Sequence, residues 1–141
     1  MLKDIVSNML VETSLAPASR TAGAANGTAI NLENYGSAAV VFSCGALGGG
    51  TATPTIEESA NGSTGWTAIA AGRLNGTLAA VNANEELVIG LTDVAGITKS
   101  FIRPVITVAG GTGTLCAAYV VKGNPRHAPA SASNVGSIYI S

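Results

Sequence analysis

The chain has 141 residues and a formal net charge of −1, and only 11% of it is Asp, Glu, Lys or Arg. Ordinary soluble domains carry about 25% charged residues, so Gly, Ala, Ser, Thr and Asn must supply most of the solvated surface here. The balance gives no electrostatic reason to bind nucleic acid. Apolar runs such as Ala38-Ala39-Val40-Val41-Phe42 fall far short of the ~20 residues that span a bilayer, so no membrane partner is expected.

This length suits one domain with a sizeable core. Asp4, Asn8 and Glu12 interrupt any apolar stretch near Met1, so no secretory signal is expected. An exterior this poor in charge lacks the usual guard against sticking to neighbours. It favours a protein that covers itself by assembly over a freely diffusing enzyme.

In chain order, residues 1–25 read as an N-terminal arm. Ile5, Met9 and Leu10 have weak helical spacing that Pro17 stops, and a small-residue run follows from Ala18 to Gly27. The arm is expected to be extended, with at most one short helical turn. From Thr28 the hydrophobic period becomes two, which predicts a half-buried strand over 28–33. Residues 38–43 are continuously apolar and suit a central strand, and residues 45–50, with four glycines, form a loop.

Residues 53–59 and 66–69 flank Asn61-Gly62, a strong turn signal, and so predict a hairpin. Trp66 opens the returning strand, where it is expected to roof the core with its indole N–H in water. Further strands are expected over 77–81, 86–91, 101–108 and 114–122, with turns at 75–76, 82–84, 93–96 and 110–113. Pro104 lacks a ladder donor, which argues for an edge or bulged position. Residues 123–141 read as a C-terminal tail, in which Ser137-Ile138-Tyr139-Ile140 offers one more short strand.

Eight or nine strands without a useful amphipathic helix predict an all-β fold. The form expected is an antiparallel β-sandwich of jelly-roll or immunoglobulin-like kind over 26–122, between the arm and the tail.

Chemistry is hard to place on this chain. His127, the only histidine, lies between Pro125 and Pro129 in the tail, a poor mount for a general base. Glu57-Glu58 and Glu85-Glu86 are adjacent pairs whose side chains point to opposite faces of a strand, and solvated strand ends account for both. Two cysteines and one histidine make no convincing zinc site, and Asp93 is a single carboxylate where calcium wants several oxygens. The glycine runs at 48–50 and 110–113 lack the lysine and helix of a phosphate loop.

No catalytic residue, cofactor or metal is therefore expected. Cys44 and Cys116 read as two buried free thiols, with a disulfide between facing strands as the alternative. Arg20, Arg126 and His127 are the candidate interface residues, the arginines as single anchors. Trp66 could serve one sugar face, though core packing suits it better.

Several pieces recur together in a fixed order: Met1-Leu2-Lys3-Asp4-Ile5-Val6, Ser14-Leu15-Ala16-Pro17-Ala18-Ser19-Arg20-Thr21, the hairpin from Glu58 to Trp66, Phe101-Ile102-Arg103-Pro104-Val105-Ile106-Thr107-Val108-Ala109-Gly110, and Val120-Val121-Lys122-Gly123-Asn124-Pro125-Arg126-His127. In this order they resemble small β-rich virion proteins of tailed bacteriophages and prophages, some encoded near the major capsid protein. That resemblance implies a head decoration, or cement, protein: a sandwich on the capsid exterior, made in the host bacterial cytoplasm, that stabilises contacts between capsomers. Its partner would be the major capsid protein. A homo-oligomer, dimer or trimer, would bury the charge-poor faces. The alternatives are a head–tail joining or tail subunit, or a glycan- or receptor-binding β-sandwich module.

Overall fold

The computed structural model describes residues 5–92, 94 and 99–125. It is all-β, with two antiparallel sheets packed face to face. After a 3-10 turn at Val6–Asn8 come β1 (Met9–Arg20), β2 (Gly23–Asn26), β3 (Ile30–Asn31), β4 (Tyr35–Cys44) and β5 (Thr51–Ser59). Then follow β6 (Thr67–Ala68), a 3-10 turn at Ala71–Arg73, β7 (Leu74–Asn75), β8 (Glu86–Leu91), β9 (Phe101–Ala109) and β10 (Thr114–Pro125). The first sheet has the order β1-β10-β4-β8-β7; the second has β2-β9-β5-β6, with β3 also paired to β9.

Alternation along the long strands builds the core. Ala38, Val40, Phe42 and Cys44 of β4 and Thr114, Cys116, Ala118 and Val120 of β10 face inward, against Ala52 and Ile56 of β5 and Ile102, Ile106 and Val108 of β9. The apolar run at 38–43 is the middle strand of its sheet, as its composition predicts. Strands 86–91 and 101–108 and the 53–69 hairpin also form where expected.

The N-terminal segment is extended, but it does not hang free. β1 pairs along β10, the chain turns at Thr21 and Ala22, and β2 then pairs with β9 in the other sheet. One short segment thereby closes one side of the sandwich, with Leu10 and Leu15 buried beneath it. The Thr28 N–H donates to the Ser14 carbonyl at 2.8 Å and Ser14 Oγ to the Thr28 carbonyl at 2.7 Å, which ties the corner. The opposite side is closed in the same way: β6 belongs to the second sheet and β7 to the first, with the Ala71–Arg73 turn between them.

Other expectations change in instructive ways. Over 28–33 the burial alternates as predicted, with Ile30 and Leu32 inside, but only Ile30–Asn31 stand in ladder register with β9, followed by one bond from the Leu32 N–H to the Ser100 carbonyl. The ladder stops because Asn31 Oδ1 takes the Glu33 N–H at 2.9 Å and Asn34 turns into positive φ at 73°. Residues 77–81 do not form a strand; Val81 makes a single bridge to Ala52, and the pairing expected there falls instead to Leu74–Asn75.

Pro104 is neither at an edge nor bulged. It is fully buried in β9, in regular register with Ile56. Its missing donor falls between β2, which pairs up to Val105, and β3, which starts at Ile102. There the Gly27 N–H reaches the Pro104 carbonyl at 2.8 Å. A Cβ on Gly27 would meet that oxygen at 2.9 Å and Ser14 Oγ at 2.3 Å, so only glycine lets the chain pass so close.

β10 runs on to Pro125, so the first three residues of the expected tail belong to the sheet. The candidate interface residues Arg126 and His127, the 137–140 segment and most of the 93–96 turn lie outside the described residues. Within the described residues no helix is long and apolar enough to cross a membrane.

Candidate interaction surface

The two sheets turn very different outer faces to solvent. On the first sheet, the residues that alternate with the core set line up in rows across β1, β10, β4 and β8. One row is Val11, Val121, Ala39 and Gly90; the next is Thr13, Tyr119, Val41 and Val88. A third continues through Ala117, Ser43 and Glu86, the one charged side chain in these rows. Val11, Val88 and Leu115 are exposed by 41%, 58% and 45%, high values for large apolar side chains in regular strands. Strands about 4.8 Å apart and rows about 7 Å apart give the patch a footprint of roughly 400 Å². Thr13, Ser43 and Glu86 interrupt that footprint and Ala117 is covered, so its apolar part is within the size of the largest patch on a typical monomer, a patch that often marks an interaction site.

The second sheet is faced with polar residues. Thr51, Thr53 and Thr55 of β5 share it with Thr107, which stands opposite Thr53. Next to them lies a charged stack. Arg103 points away from the core between buried Ile102 and Pro104, and its Nε donates to Glu57 Oε1 at 2.8 Å. Its guanidinium carbon lies 4.4 Å from the centroid of the Trp66 ring. Trp66 therefore does not roof the core; its aromatic surface is spent on the Arg103 cation, a favourable pairing of charge with the ring quadrupole.

The loop carrying Trp66 is held by its own side chains. Asn61 Oδ1 takes the N–H groups of Ser63 and Thr64 at 2.8 and 2.9 Å, and Ser59 Oγ takes that of Gly62 at 3.1 Å.

Neither glutamate of the 57–58 pair is simply solvated. They do point to opposite faces as expected, but Glu57 holds Arg103, while Glu58, on the inner face, accepts from Arg73 Nη1 at 2.9 Å. Glu85, expected to be a free strand end, accepts from Asn82 Nδ2 at 3.0 Å.

Lys122 is the unexpected charge. Its position in β10 faces inward and only 6% of it is exposed. The ammonium pairs with Glu12 of β1, donates to the Asn31 carbonyl at 3.0 Å and stands 4.6 Å from the centroid of the Tyr35 ring. Burial and then the Glu12 carboxylate push the Tyr35 hydroxyl above its ordinary pKa. Sequence pattern carried a clue, since Lys122 continues the inward series Cys116, Ala118, Val120 with period two.

Arg20 ends β1, with its Nη2 donating to the Ala16 carbonyl at 2.6 Å, so its reach is turned back on its own strand. Cys44 and Cys116 are free and buried, as expected. Among the described residues no group of three or more His, Cys, Asp or Glu gathers as a metal ligand set.

No family model matches the chain, and no curated protein does. Among solved structures, the SPBc2 prophage-derived protein YomS is similar at 13% identity and a TM-score of 0.49, over 87% of this chain and 100% of that one. Infectious bursal disease virus, Gx strain, is similar at 13% identity and a TM-score of 0.45, over 82% of this chain and 32% of that one.

Proposed function

We propose that the protein is a structural subunit of a tailed-phage virion that docks on the outside of the head and ties neighbouring capsomers together. The observation that carries this reading is the outer face of the β1-β10-β4-β8 sheet, a largely apolar and almost uncharged surface. Such a face suits a protein partner of similar small and apolar side chains, and it offers nothing to phosphate or to an acidic peptide. The ordered sequence pieces that resemble phage virion proteins point the same way.

Physically, expansion of a shell stresses the joints between capsomers. A subunit that binds only the expanded form stabilises it by mass action. The rigid sandwich supplies the bridge, the major capsid protein is its partner, and a second or third copy around a local axis would cover further apolar area. No catalytic group, cofactor or metal enters this role.

The test is saturable binding of the purified protein to empty expanded heads, measured by co-sedimentation, with imaging to place the density. Wild type is expected to bind the exterior, and Val41→Asp to lose binding while keeping its fold. Undiminished attachment of that variant, or rings formed by the isolated protein without attachment to heads, would overturn the reading.

A further inference from the structure

Cys44 and Cys116 stand directly opposite each other on β4 and β10, both facing the core. Their place in the ladder can be read from the neighbouring bonds. The Gly45 N–H goes to the Leu115 carbonyl, whereas the Cys44 N–H turns to Glu85 on the other side. Cys44 and Cys116 are therefore a non-hydrogen-bonded pair, the kind whose Cα atoms lie about 4.5 Å apart with side chains closest. That separation falls within the range of about 4.4–6.8 Å that a disulfide spans.

The two sides of the pair are unequal, although both thiols are buried. Between Leu15 and Ala18 the β1 register slips, and Pro17 sits in the slip. The gap leaves an open cleft of about 290 Å³ on the outer face, walled by Pro17, Ala18, Ser43, Leu115, Ala117 and Tyr119; it borders the Cys116 segment of β10, whose thiol faces the core on the other side. Arg20 lies next to the same cysteine, with its Nε buried and without a hydrogen-bond partner among the described residues, a donor available to an anionic sulfur. Burial holds the Cys116 thiol above its ordinary pKa, but the Arg20 charge draws it back down. Cys44 has no such help, and burial pushes it up to about 11.

We propose that Cys44 and Cys116 form a redox-closed staple between β4 and β10 at one end of the first sheet, entered at Cys116 by a small disulfide such as oxidised glutathione. The Cys116 thiolate attacks one sulfur of that disulfide, its S–S bond breaks, and one glutathione leaves as a thiol with the proton from Cys116. The Cys44 thiolate then attacks the Cys116 sulfur, the Cys44–Cys116 bond forms, and the second glutathione leaves as a thiol with the proton from Cys44. Two protein thiols are oxidised and one glutathione disulfide is reduced. A particle that leaves a reducing cytoplasm meets such oxidants outside. The staple depends on the β4–β10 register and on Arg20 beside the β1 slip, and stands apart from the docking reading above.

The full-length native protein is incubated with oxidised glutathione, quenched with an alkylating agent in denaturant and weighed intact. The expected result is a loss of two hydrogens with no alkyl groups added, a higher melting temperature, and reversal of both by a dithiol reductant. Cys44→Ala is expected to stop at a single glutathione adduct on Cys116, and Cys116→Ala to take up far less. A native protein that keeps two alkylatable thiols while the denatured chain oxidises would overturn the proposal. So would an adduct that forms first on Cys44, or oxidation that lowers the melting temperature. If either alanine variant fails to fold, serine at the same position carries the same comparison.

Discussion

The two outer faces belong to one sandwich with one core, yet they treat charge in opposite ways. The second sheet places Arg103, Glu57 and Trp66 together in its outer layer, where each charge has a partner and still touches water. The first sheet keeps its outer face nearly free of charge, and its lysine, Lys122, points inward to Glu12 at the end of the core. A face meant for solvent gains from mixed charge, which keeps neighbours off. Two sheets folded from one composition therefore differ by placement, and the bare one is the face on which the docking proposal rests.

The largest expected effect lies under the bare sheet. Glu12→Ala would leave a lysine whose side chain is only 7% exposed without its carboxylate, at a cost of about 3 kcal/mol. Lys122→Met should cost much less, about 1 kcal/mol, because Glu12 is 30% exposed and can turn to water. Urea unfolding with an unchanged m-value measures the pair. Equal losses for the two variants would mean that the ammonium reaches solvent, and that this sheet does not internalise its charge.

A slightly smaller effect separates the faces by function. Val41→Asp, in the middle of the bare face, is expected to weaken attachment to expanded heads at least a hundredfold, or about 2.8 kcal/mol. Thr53→Asp, at the matching place on the second sheet, should change it by less than threefold. Both variants should melt close to wild type, since neither touches the core. If the threonine variant were the one to lose attachment, the assignment of the faces would be reversed.

Smaller still is the charged stack. Arg103→Ala removes a partly exposed ion pair and a cation–π contact, together about 1 kcal/mol of stability. Trp66 fluorescence should shift to the red as water replaces the guanidinium, with head attachment unaffected.

Much of this architecture was legible because period-two burial is local. The apolar run at 38–43, the 86–91 and 101–108 strands and the Asn-Gly hairpin all follow from residues within one element. What the pattern missed depends on neighbours. Pro104 reads as an edge residue until β2 and β3 are seen to part beside it, and residues 9–20 read as an arm because pairing with β10 spans nearly the whole chain. Deleting residues 1–25 would therefore remove β1 and most of β2, not a loose extension. Trp66 was misplaced for the same reason: its partner, Arg103, is two strands away in space and 37 positions along the sequence. Of the three candidate interface residues only Arg20 lies among the described residues, and it serves Ala16 and the cysteine site. The bare face itself was implied by the low charge, but its rows appear only once the register is known.

The least effect is on pH, and it too divides the sheets. Tyr35, Cys44 and Cys116 all belong to the first sheet, and burial raises each above its ordinary pKa, Cys44 to about 11. For such groups the fold favours the neutral form. Below the unfolded values, near 9 for the thiols and 10 for the phenol, both states are protonated and the fold keeps its full stability. As pH rises through and past them, the unfolded chain releases its protons first, and stability falls toward pH 11. Denaturant midpoints from pH 8 to 11 should therefore decline for wild type and decline less steeply for Cys44→Ala combined with Tyr35→Phe. The contrast is in slope, which a small constant loss from the substitutions does not alter. An undiminished slope in the double variant would place the alkaline sensitivity outside Tyr35 and Cys44.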